Sequence, residues 1–115
     1  MTVGDATDFL KNRQTVAERQ VSESLKTELD ELGGDNCVEA QPGVLPETYF
    51  RRGKKLLALQ RYSDARSCFI LTQELEKGTH FSKESCMSLG FMYEIGLGVE
   101  KDIQQAQEWY RKAGL

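Results

Sequence analysis

Apolar positions recur along most of this 115-residue chain at helical spacing. In the front segment Leu10, Ala17, Val21, Leu25 and Leu32 follow one another at intervals of seven, four, four and seven. That spacing stacks them on one stripe of a helix. Asp5 and Thr7 are alternative caps for its start, and Gly33 suits the left-handed position just past its end. Phe9 and Val16 fall off the stripe, so the amphipathicity is imperfect. Further on, Gly53 is followed twelve residues later by Ala65 and four later again by Phe69. Gly90 is followed sixteen residues later by Ala106 and four later by Tyr110. In both cases a small residue on one helix meets a small residue on the next, and the aromatic fills the space beyond. Such an internal repeat predicts helices over 47–59 and 62–76, with a turn at Gln60-Arg61. Pro46 stands at the first helical position, where its missing N–H costs nothing, and Gly78 closes the second helix. No stretch alternates with period two for long enough to be a strand. The pattern predicts an all-α chain of five helices.

Charge divides the chain into three parts. Residues 1–34 carry net −3, residues 35–46 carry −2 and residues 47–115 carry +2. Glycine and proline punctuate residues 33–45, with Pro42 and Pro46 at the seam. The reading is an acidic amphipathic helix over 1–34, a linker over 35–46 and a repeat body over 47–115. The mean hydropathy of −0.52 marks a polar chain. No run approaches the roughly eighteen apolar residues of a membrane span, and no secretory signal opens the chain. A net charge of −3 with both signs mixed argues against a general nucleic-acid partner. Three cysteines and one histidine do not make a recognisable zinc site, so no metal or cofactor is expected.

The body resembles known helical repeats. Tyr49-x3-Gly53-x2-Leu56-x5-Tyr62-x2-Ala65-x3-Phe69 resembles a tetratricopeptide repeat, a pair of antiparallel helices. The second unit is more specific. Leu89-Gly90-x2-Tyr93-x2-Gly96-x-Gly98-Val99-x2-Asp102-x3-Ala106-x2-Trp109-Tyr110-x-Lys112-Ala113 resembles a Sel-one-like repeat, whose interhelix loop is longer. The implied fold is an α-solenoid of antiparallel hairpins. The motif residues also make sense without the family. Gly96 and Gly98 sit where helix becomes loop and φ turns positive. Asp102 followed by Gln105 is a capping-box pattern. Val99 is expected to tuck back between the helices, while Trp109 and Tyr110 offer large packing area.

Arg52 and Ser85 depart from the repeat pattern, standing where apolar residues are usual. Cys86 falls where a secreted, cysteine-rich subclass of the family places a bridging cysteine, but the position eight residues upstream is Gly78. The resemblance therefore implies that this bridge is missing. All three thiols, Cys37 and Cys68 included, are expected to be free and the protein cytoplasmic.

Repeats of this kind imply binding rather than catalysis, because their first helices line a concave groove. By resemblance the groove residues are Phe50, Lys54 and Leu57, then Met87, Phe91 and Glu94, with Arg51 and Lys55 flanking. That set suits a peptide with an apolar anchor and nearby acidic groups. The alternative is a solvated basic face over Arg51, Arg52, Lys54 and Lys55. The expected role is a non-enzymatic protein-interaction adaptor. A regulatory or chaperone-like subunit, or a piece of a longer solenoid that completes its fold on a partner, is the other reading. No set of nucleophile, base and oxyanion donors converges in the motifs. The oligomeric state stays open. Residues 1–34 cap the fold through Val21, Leu25 and Leu32, act as a mobile arm that competes with an acidic ligand for the basic end of the groove, or dimerise. Apolar burial outweighs screened charges, which favours the cap.

Overall fold

The computed structural model describes residues 3–115, with side chains from Val16 onward. Its described residues form five helices: α1 (Val3–Glu31), α2 (Pro46–Ala58), α3 (Tyr62–Leu75), α4 (His80–Ile95) and α5 (Ile103–Lys112). Helix α2 packs against α3, α4 against α5, and α3 against α4, so two antiparallel hairpins stack on a shared core. The expected all-α array of helical hairpins is what the chain forms.

Local chemistry sets the helix ends. Pro46 opens α2, and Thr79 caps α4 by accepting a hydrogen bond from the Ser82 N–H. Asp102 caps α5 by accepting from the Gln105 N–H at 3.1 Å. Only half of the capping box forms, because the Asp102 N–H donates to the Tyr93 carbonyl at 2.9 Å instead. Helix α1 ends as its sequence predicts: Gly33 takes φ +90°, and the Gly34 N–H reaches back to the Leu29 carbonyl at 3.0 Å. The start of α1 differs from expectation, since the helix begins at Val3 and contains Asp5 and Thr7. The side chains of Asp5, Thr7 and Leu10 lie outside the described ones.

The core runs through both hairpins. Tyr49, Leu56, Ala65, Cys68, Phe69, Leu89 and Met92 are fully buried. At Gly53 and Gly90 the nearest neighbours on the next helix are the aromatic rings. A Cβ on Gly53 would lie 2.8 Å from the Phe69 ring, and one on Gly90 would lie 2.6 Å from the Tyr110 ring. Each glycine is the floor on which the ring of the following helix lies.

The interhelix loop of the second hairpin rests on the first. Gly98 has φ +69°, and a Cβ there would meet Tyr62 Cβ at 2.6 Å and the Tyr62 backbone carbon at 3.1 Å. Leu97, rather than Val99, is the loop residue packed on the core, while Val99 is half-buried. Gly98→Ala is expected to destabilise the fold by about 1–3 kcal/mol, since left-handed strain and a clash with backbone act together. An unchanged thermal melt for that variant would count against this account of the loop.

The segment after α1 has no regular structure, as expected of a connection, but it is pinned. Cys37 and Cys68 form a disulfide with a Cα–Cα distance of 4.7 Å, which corrects the expectation of three free thiols. The pairing joins the connection to the middle of α3, a proximity only the fold creates. The cytoplasmic assignment rested on free thiols and loses that support. Cys86 is free and buried, and burial pushes its thiol pKa up. No described helix is long and apolar enough to cross a membrane.

Arg52 holds the same segment from beneath. Its guanidinium donates to the Leu32 carbonyl at 2.9 Å, the Asn36 carbonyl at 2.9 Å and Gln41 Oε1 at 3.0 Å. It also lies 5.3 Å from the Tyr49 ring centroid, and the residue is 2% exposed. Arg52 is therefore no part of a solvated basic face. The Tyr49 hydroxyl accepts from the Gln41 N–H at 2.6 Å, and Arg61 bonds Asp35 at 2.5 Å. That hydrogen bond, the largest influence on Asp35, holds its carboxyl below the usual carboxylate range.

Candidate functional site

The body meets α1 along α2, and there four of the eight side chains expected to bind a partner converge. Phe50, Arg51, Lys54 and Lys55 from successive turns of α2 line one pocket of about 470 Å³. Phe81, from the first turn of α4, supplies the opposite wall, and Glu28 and Glu31 of α1, with Leu32 just after it, close the rim. The floor is aromatic: the Phe50 and Phe81 ring centroids are 5.5 Å apart and tilted, and Phe69 lies 6.2 Å behind Phe50. Phe50 is 9% exposed, so it forms the base of the pocket rather than a protruding anchor.

The three cations of the rim differ in their engagement. Arg51 pairs with Glu47 one turn earlier, and Lys55 pairs with Glu28 at 2.7 Å. Lys54 makes no ion pair with a described residue; its ammonium stands 5.9 Å from the Phe50 ring centroid. An apolar side chain entering the pocket would lie on the Phe50–Phe81 floor, with the Lys54 ammonium beside it.

The other predicted groove residues are not in this pocket. Leu57 is half-buried against the core. Met87 and Phe91 lie one turn apart on the outer face of α4, 38% and 46% exposed, and Ile95 continues the stripe at 54%. Glu94 accepts a hydrogen bond from the Tyr110 hydroxyl at 2.6 Å. Burial first, and then the Glu94 hydrogen bond, push the Tyr110 pKa from 10.0 to about 12. A phenol that ionises later in the folded state stabilises it fully below pH 10, and that contribution fades as pH rises towards 12. Stability is expected to fall over that window, and Tyr110→Phe should remove this alkaline limb from a pH series of melts.

Sequence reasoning missed Phe81 and Ile95, whereas Glu28 and Glu31 belong to the acidic front segment expected at the basic end of the groove, and Leu32 to its apolar stripe. Phe81 carried only its aromatic character next to a connection. Leu29 was missed too: it is buried at 4%, whereas Val21 of the predicted stripe is 61% exposed. Near the body, Leu29 is the buried residue of α1, Leu25 and Leu32 are half-buried, and Ala17, Val21 and Leu25 border a cleft against Ala58, Leu59 and Gln60. Among the described residues, no group of three His, Cys, Asp or Glu side chains is placed to hold a metal ion.

Residues 83–115 match the family model of the Sel1 repeat. The match spans most of α4, the Gly96–Gly98 loop and α5, and it does not extend to α2 and α3. Sel1 repeats generally mediate protein–protein interaction and are typically non-enzymatic. No curated protein matches the chain. No solved structure matches it either.

Proposed function

We propose that this protein is a non-catalytic adaptor that takes an acidic partner segment, through an apolar anchor, in the Phe50–Phe81 pocket. The observation that carries this reading is the pairing of an aromatic floor with Lys54, a cation that has no carboxylate of its own among the described residues. A buried apolar anchor supplies affinity, while charge at the rim selects the partner and steers its approach. The exposed stripe Met87, Phe91 and Ile95 extends the apolar surface along α4 and gives a longer segment a second place to rest.

The test is a peptide array in which the anchor and the flanking carboxylates vary independently, with binding read by fluorescence polarisation. The expected outcome is binding that needs both a large apolar residue and acidic neighbours. Lys54→Glu should weaken that binding about tenfold without shifting the melt, because the side chain is exposed. Equal binding of neutral peptides would remove the charge requirement. Unchanged amide shifts at Phe50 and Phe81 on titration would remove the pocket.

A further inference from the structure

The rim of the pocket is already occupied by part of the same chain. With α1 docked, the pocket lining carries Arg51, Lys54 and Lys55 against Glu28 and Glu31, a formal charge of +1, and Lys55 is tied to Glu28. Without α1 the same lining would carry +3. Among the described residues α1 packs only on α2, and Leu29 is its one fully buried side chain. What keeps it in place lies directly after its end: the Arg52 hydrogen bonds, the Asp35–Arg61 pair and the Cys37–Cys68 bond. Of these only the disulfide is covalent, and only it changes with redox conditions.

We propose that the Cys37–Cys68 disulfide is a latch holding the acidic end of α1 over the basic rim, so that its reduction opens the pocket to an acidic partner. This rests on the reading of the pocket given above. The reductant is a dithiol. Its thiolate attacks one sulfur of the pair, forming a mixed disulfide and expelling the other cysteine as a thiolate. The second reductant thiol then displaces the remaining cysteine and closes a cyclic disulfide. Two electrons and two protons pass to Cys37 and Cys68, which end as thiols. Both sulfurs belong to buried residues, so the reductant meets them only when residues 33–45 lift from the body. An irregular segment is the part of a fold that opens most cheaply. Once the bond is cut, nothing covalent returns Cys37 to α3. The local concentration of α1 at the rim falls, and an external carboxylate competes on better terms.

The experiment uses the full chain, oxidised or treated with dithiothreitol. Two readouts are taken: backbone order parameters by NMR, and binding of a synthetic peptide copying residues 22–34. In the oxidised protein the amides of residues 25–32 should be as rigid as the core, at about 0.85, and reduction should take them below about 0.6. Those of α3 and α4 should not change. Peptide affinity should rise at least about fivefold on reduction, and Cys37→Ser should reproduce both effects without reductant. Order parameters at residues 25–32 that do not change on reduction would overturn the latch. So would loss of the α3 and α4 signals, which would make the bond merely structural. Release of α1 with no peptide bound in either state would support the latch and overturn the pocket reading instead.

Discussion

Arg52→Ala should lower the unfolding free energy by about 3 kcal/mol, a large share of the roughly 5–15 kcal/mol that holds a small domain together. The guanidinium satisfies the Leu32 carbonyl at the end of α1, the Asn36 carbonyl and the Gln41 side chain, in a site that is 2% exposed. Removing it leaves those acceptors without their donor and opens a cavity beside Tyr49. The partners are neutral, so no opposite charge is stranded, and the loss should stay below that of breaking a buried ion pair. Arg52→Met separates the two contributions. It keeps the volume and the stacking on Tyr49 but donates nothing, so it should recover only the packing part. Chemical denaturation of both variants measures the difference. Equal stability of wild type and Arg52→Met would mean that the hydrogen bonds contribute nothing net.

Breaking the Cys37–Cys68 bond should cost about 3–4 kcal/mol towards global unfolding, the loop-closure entropy for the 31-residue separation. The loss acts mainly through the unfolded chain, which regains freedom across the connection and α2. Its signature is a lower denaturation midpoint for the reduced protein, with α2 to α5 still folded before the transition. Superimposable denaturation curves for oxidised and reduced protein would refute it. Combining reduction with Arg52→Ala should cost less than the sum of the two, because both act on residues 32–41. Helix α1 should be the first element lost, since its attachment depends on that segment.

The sequence by itself was enough for the helices, most of their ends and the loop between α4 and α5, because those depend on neighbours close in the chain. Pro46, Gly33 and Asp102 each act within a turn or two of their own position, and Gly98 takes a local left-handed turn, although its fit against Tyr62 is a tertiary contact. The helical period of the apolar residues needs no tertiary partner to be read. Convergence of Phe50, Arg51, Lys54 and Lys55 was legible for the same reason, since all four lie within two turns of α2. Tertiary structure alone decided which residues meet across the connection. The repeat pattern marked position 52 as one where an apolar residue is usual, but only the fold shows why arginine fits there, donating to three carbonyl-type oxygens. Cys37 and Cys68 are unremarkable in sequence, and their pairing follows from folding the connection back over α3. The register of α1 was decided in the same way: Leu29 is buried against the body, while Val21 stays exposed at the mouth of a cleft beside the end of α2. Burial and long-range pairing are properties of approach between segments, and a one-dimensional pattern specifies the faces without specifying which faces meet.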